Sequence, residues 1–130
     1  MQPLLPTPQV QIFGGGAHAG RRTDIQDFMV VCPGAKTFAQ AIEWTAEVYR
    51  HAGLLMRARG ATFGVADEGG WWPVFNTNEQ ALEALVAAIE RAATFPASRW
   101  RSRSTSPPAI SAAAVATRSA WSVASSTATA

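Results

Sequence analysis

Residues 62–73 read Thr62-Phe63-Gly64-Val65-Ala66-Asp67-Glu68-Gly69-Gly70-Trp71-Trp72-Pro73, and this stretch decides the fold class. Thr62 to Ala66 is a short β-type run, and Asp67-Glu68-Gly69-Gly70 stands directly at its C-terminal end, with a loop through Trp71, Trp72 and Pro73 expected to follow. In α/β folds the C-terminal ends of parallel strands face the active site, so a carboxylate placed there is positioned for chemistry. The paired glycines allow a substrate or another backbone to come close. The plainer alternative makes Glu68 a solvated loop acid and Gly69-Gly70 a simple turn.

Working outward, helical periodicity lies on both sides of this run. Thr37-x-x-Gln40 is a capping-box pattern that opens a helix. Phe38, Ala41, Ile42, Thr45, Tyr49, Ala52, Leu55 and Met56 then recur at three- and four-residue steps, which predicts one core-facing stripe. Gly60 is the expected stop, since glycine tolerates the left-handed conformation past a helix end. Thr77-x-x-Gln80 opens a second helix with a stripe of Leu82, Leu85, Val86 and Ile89. Nearer the start, Gln9 to Phe13 and Ile25 to Val31 are β-rich runs. Between them lie the glycines at 14–16 and a polar loop through His18, Arg21 and Arg22, longer than hairpin loops usually are. The predicted order is β-β-α-β-α, an α/β layer or part of a (β/α) barrel.

The character changes after Thr94. Residues 95–130 hold ten Ala, nine Ser and four Thr, with no acid and no apolar period. Such a segment cannot bury enough surface to offset its ordering entropy, so a disordered tail is expected beyond an ordered unit at 1–94. The division also explains the charge. All nine acids lie between Asp24 and Glu90, and four of the eleven Lys/Arg lie in the tail. The pI of 9.3 is therefore no nucleic-acid footprint, which needs basic residues gathered on one face. The alternating Ser and Arg at 98–104 resemble a nucleic-acid-binding arm in composition only; four arginines in the tail could contact RNA weakly, but such arms carry longer charge runs, so nucleic-acid binding is not expected. The single Cys32 permits no intrachain disulfide, no signal-peptide pattern opens the chain, and no apolar run reaches membrane-spanning length, so a cytoplasmic setting is expected.

Other chemistry-bearing residues carry little alone. The GGG-x-H segment at 14–18 matches neither a Walker A loop nor a dinucleotide fingerprint. Gln26 and Asp27 interrupt an apolar strand, where such residues normally face water. Of Trp71 and Trp72, one is expected to pack on the body. Cys32 has no neighbouring base and reads as an inert thiol.

In order and spacing, however, these pieces resemble enolases from Leu5 to Ala93. The residues that carry the resemblance are Gly15-Gly16-Ala17-His18-Ala19, Gln26-Asp27-Phe28-Met29, Gly34-Ala35-Lys36 and Val65-Ala66-Asp67-Glu68-Gly69-Gly70. The resemblance implies the start of an enolase barrel domain and a lyase of glycolysis, converting 2-phosphoglycerate to phosphoenolpyruvate with Mg²⁺. It implies Glu68 as the general acid and His18, Gln26 and Asp27 as substrate contacts. Asp27 stands where many members carry Glu, one methylene longer. The family's Mg²⁺ ligands and lysine base belong to later strands and are not found in this sequence, which implies an inactive fragment. Family members form homo-oligomers. A catalytically dead remnant and a small binding protein with a basic Ser/Arg tail are the competing readings.

The tail carries a further expectation. Permissible codons for Arg99 to Thr105, read from the third base of each, spell Val-Ala-Ile-Ser-Leu-Asp-Ile. That string resembles the next strand of the family, so the tail is expected to be out of frame.

Overall fold

The computed structural model describes residues 4–93 and 111–115. It has five strands and two helices in the order β1 Gln9–Gly14, β2 Asp27–Val31, α1 Phe38–Ala58, β3 Thr62–Val65, β4 Trp71–Pro73, α2 Asn78–Ala93 and β5 Ser111–Val115, with a short 3-10 turn at Gly16–Ala19. The predicted β-β-α-β-α order is present, with two additions. Trp71–Pro73 is a strand rather than a loop, and part of the tail is a strand.

The strands form one sheet in the order β3-β4-β1-β2-β5. β1 and β2 pair antiparallel from Gln9↔Val31 to Gly14↔Asp27, so the predicted hairpin forms across its long loop. The register slips between Gln11 and Phe13, which leaves Ile12 as the extra residue of a bulge. Strict alternation would put Gln11 and Phe13 on one face. The bulge separates them: Ile12 and Phe13 are both fully buried, while Gln11 is only partly covered. β3 and β4 form an antiparallel hairpin, and β4 joins β1 in parallel through Phe13↔Trp71.

Both helices start as their sequences direct. The Gln40 N–H donates to Thr37 Oγ1 at 3.1 Å, and the Gln80 N–H donates to Thr77 Oγ1 at 3.2 Å. Each glutamine also reaches back, but one residue earlier than a capping box requires. Gln40 Oε1 accepts from the Lys36 N–H and Gln80 Oε1 from the Asn76 N–H. At its far end α1 closes on Gly60 with φ 61°, where the Gly60 N–H meets the Arg57 carbonyl and the Ala61 N–H meets the Met56 carbonyl. This is a Schellman ending.

The helices pack together and share a core with β1 and β2, built on Ile12, Phe13, Phe28, Val30, Val48, Met56, Phe75 and Leu85. Phe13 and Phe75 meet edge to face, with centroids 5.4 Å apart. The predicted stripes need correction. On α1, Phe38 and Ile42 are exposed, and Trp44 and Val48 are buried instead. On α2, Val86 is exposed and the buried row is Ala81, Ala84, Leu85, Ala88 and Ala92. Alanine carries little side chain to bury, and its small size lets two helices approach closely, so the row toward the core is not the row of largest residues.

Within the tail, residues 111–115 pair antiparallel with the whole of β2, from Asp27↔Val115 to Val31↔Ser111. A strand at a sheet edge is held through its backbone and needs little side-chain burial. The rest of the tail that was expected to be disordered lies outside the described residues. Among the described residues, no helix is long and apolar enough to cross a membrane.

Candidate functional site

The 67–70 turn links β3 to β4 and folds back over the middle of β1. Its shape comes from its two glycines, each for a different reason. Gly69 has φ 96°, a conformation that L side chains rarely adopt. Gly70 is buried, and a Cβ on it would stand 2.5 Å from Gln11 Oε1 and 3.0 Å from the Gly14 nitrogen. Close approach of another backbone, expected of these glycines, is what Gly70 permits. Inside the turn, the Gly69 N–H donates to the Ala66 carbonyl and the Ala66 N–H to the Gly70 carbonyl, both at 2.8 Å.

Gln11, which the sequence reading did not single out, is the hub. Its Nε2 donates to Asp27 Oδ1 at 2.5 Å and to Glu68 Oε2 at 3.1 Å, and its Oε1 accepts from the Gly70 N–H at 3.1 Å. Only one orientation of the carboxamide satisfies two carboxylates and an N–H together, so its partners fix which end is nitrogen. Two of the candidate site residues, Asp27 from β2 and Glu68 from the turn, are thereby brought together. Asp27 is half-buried and Glu68 exposed.

Gln26 immediately precedes β2 and is half-buried, and its carbonyl accepts from the Gly15 N–H at 2.6 Å. A Cβ on Gly15 would stand 2.0 Å from the Ile25 carbonyl oxygen, so glycine is required where the two chain segments cross. The loop leading into β2 is tied to α2 through Asn78 Oδ1, which accepts from the Asp24 and Ile25 N–H groups at 3.0 and 3.3 Å. His18 lies on the 3-10 turn that follows β1. The backbone therefore places it just past the end of the hairpin where Gly14 faces Asp27.

On the helix side the turn is held by Tyr49, whose hydroxyl donates to the Gly69 carbonyl at 2.8 Å. Burial pushes the Tyr49 hydroxyl above its usual pKa. The Tyr49 ring stacks on Trp71 at 4.9 Å and 21°, and the Trp71 Nε1 donates to the Tyr49 carbonyl at 2.9 Å. Trp71 is thus the tryptophan that packs on the body, while Trp72 is 37% exposed. Cys32 is buried beside Thr45, and burial pushes its thiol up, in keeping with an inert thiol.

Among the described residues no group of three or more His, Cys, Asp or Glu is placed to hold a metal ion. The two carboxylates that do meet face the amide hydrogens of Gln11. Mg²⁺ calls for near-octahedral oxygen ligation, and this donor set does not fit it.

Residues 2–98 match the family described as "Enolase, C-terminal TIM barrel domain". The enolases of Tropheryma whipplei strains Twist and TW08/27 are each 40% identical to this chain over 93 residues. The match covers 72% of this chain and 22% of each relative, so the chain spans about a fifth of the length of the curated relatives it matches.

Proposed function

The chain belongs to the enolase family through its C-terminal barrel domain, and from that membership we propose that it carries the general-acid side of a site for dehydrating 2-phosphoglycerate to phosphoenolpyruvate. The observation that supports this reading is the convergence of Asp27 and Glu68 on the Gln11 carboxamide. Loss of water from 2-phosphoglycerate removes the C2 proton and expels the C3 hydroxyl. The hydroxyl leaves as water when an acid delivers a proton to it. Glu68 is the group for that step: it is exposed at the tip of a turn and anchored so that its carboxyl has a defined position. Asp27, His18 and Gln26 contact substrate beside it, and with Asp in place of the longer Glu the contact at 27 is shorter in reach.

The C2 proton is only weakly acidic, so its removal needs a base and cationic charge to offset the developing negative charge. The described residues provide neither at this site. We therefore infer that the isolated chain does not turn over, and that its site is one half of a catalytic apparatus. The test is phosphoenolpyruvate formation from 2-phosphoglycerate with Mg²⁺. No turnover is expected from the chain alone. Turnover that is lost in Glu68→Gln would place the acid as proposed but overturn the inference that the base and metal are lacking. Turnover indifferent to Glu68→Gln would overturn the assignment of the acid.

A further inference from the structure

We propose that Gln11 is the positioning residue of this site: its carboxamide sets the separation of the Asp27 and Glu68 carboxylates and fastens the 67–70 turn to β1. A role for that separation in catalysis rests on the dehydration reading above.

Three features of the structure meet at this side chain. The first is geometric. One carboxamide makes three hydrogen bonds, to β2 through Asp27, to the tip of the turn through Glu68, and to the base of the turn through Gly70. Tyr49 also grips the turn, but at the Gly69 carbonyl and from the helix side. The second is hydrogen bonding. Two carboxyl groups meet here as acceptors, and a shared NH₂ group is the donor that serves both at once. Gln11 provides one amide hydrogen for each. The third is packing. Gly70 has no room for a side chain because the Gln11 carboxamide and the Gly14 nitrogen lie against it. The turn is therefore shaped to receive this side chain, and the β1 bulge at Ile12 turns it away from the buried Phe13.

The shorter Asp27 fits the same account. With one methylene fewer than Glu, its carboxylate stays near its own strand, and the long Gln11 side chain closes the distance to Glu68.

The experiment uses the full chain labelled with ¹³C and ¹⁵N, as Gln11→Met and Gln11→Glu, without substrate. Gln11→Met removes the acceptor for Gly70 while keeping the side chain's length. Amide exchange at Gly70 is expected to rise about 5-fold, the effect of losing one ordinary hydrogen bond. Exchange at Gly69, whose N–H bonds within the turn, is expected to stay unchanged. Gln11→Glu keeps an acceptor for Gly70 but replaces the shared NH₂ with a third acidic oxygen. There Gly70 is expected to stay protected, while the two Glu68 γ-methylene protons, expected to be inequivalent in the unsubstituted chain, are expected to average toward one signal. Equal rises at Gly69 and Gly70 in Gln11→Met would mean general loosening and would overturn the proposal. So would unchanged exchange at Gly70, or Glu68 methylene protons that stay inequivalent in Gln11→Glu. None of these readouts involves turnover, so this proposal and the dehydration reading fail separately.

Discussion

Trp71 lies against Gly53 so closely that a Cβ on Gly53 would stand 2.3 Å from the indole Cζ2. The indole cannot step aside cheaply. It is held by the Tyr49 stack and by the bond from its Nε1 to the Tyr49 carbonyl.

Gly53→Ala therefore sets two effects against each other. In a helix interior alanine is favoured over glycine by about 1 kcal/mol. Overpacking a filled contact costs about 1–3 kcal/mol. The clash should win, with a net loss of up to about 2 kcal/mol in a urea titration followed by tryptophan fluorescence. A gain in stability would show that Trp71 is not fixed on α1.

The two caps offer a matched pair. Thr37→Ala and Thr77→Ala each remove one oxygen that accepts a helix N–H. Each is expected to cost about 1 kcal/mol. Serine at either position should recover most of the loss, because it keeps the accepting hydroxyl. Equal losses for Ser and Ala would show that the threonine methyl, rather than the cap, is what stabilises the helix start.

His51 makes stability depend on pH. Burial lowers its pKa from 6.5, Arg50 and Arg91 push in the same direction, and Glu47 opposes them. Arg50 Nη2 stands 3.1 Å from His51 Nε2, and since a guanidinium only donates, the ring nitrogen accepts and carries no proton. The folded form thus binds the proton less readily than the unfolded chain. Stability is full above 6.5 and falls as pH drops through 6.5 toward the lower folded value. The urea midpoint should be flat from neutral upward and decline on acidification. In His51→Gln the part of that decline belonging to this group should vanish. An unchanged decline would assign it to other residues.

A substitution in the turn completes the set. Gly70→Ala drives a Cβ into the Gln11 carboxamide and the Gly14 nitrogen. A loss of about 1–3 kcal/mol is expected, the range for overpacking. Pairing it with Gln11→Ala should recover part of the loss, because the displaced group is then gone. Strict additivity of the two substitutions would show that Gln11 and Gly70 do not interact.

Much of this architecture is legible in the sequence because its signals are local. Thr37-x-x-Gln40, Thr77-x-x-Gln80 and Gly60 each act within a few residues: the two threonines cap their helices, and Gly60 ends the first in the left-handed conformation. Glu68 is legible as a candidate for the same reason, at the end of a β-type run, whereas Asp27 is a candidate only through the family resemblance, since within its own run it reads as a water-facing interruption. What could not be read depends on distant partners. Trp71–Pro73 is a strand because β1 and β3 flank it, and a three-residue run ending in proline gives no such sign on its own. Gln11 sits in an alternating Gln-Val-Gln-Ile run that reads as a water-facing position. Its role appears only once a turn some sixty residues later folds onto β1, as its bond to Gly70 shows. The bulge at Ile12 left no signal of its own, since both Ile12 and Phe13 are plausible in any strand.

β5 has one more implication. Its sequence, Ser-Ala-Ala-Ala-Val, is made mostly of small residues, yet its backbone matches β2 residue for residue. An exposed strand edge offers N–H and C=O groups that any extended segment can satisfy. The demand made on such a neighbour is for reach and for the absence of proline, not for a particular spelling. A run of small residues can therefore finish a sheet through its backbone alone, provided that it is extended and reaches the edge.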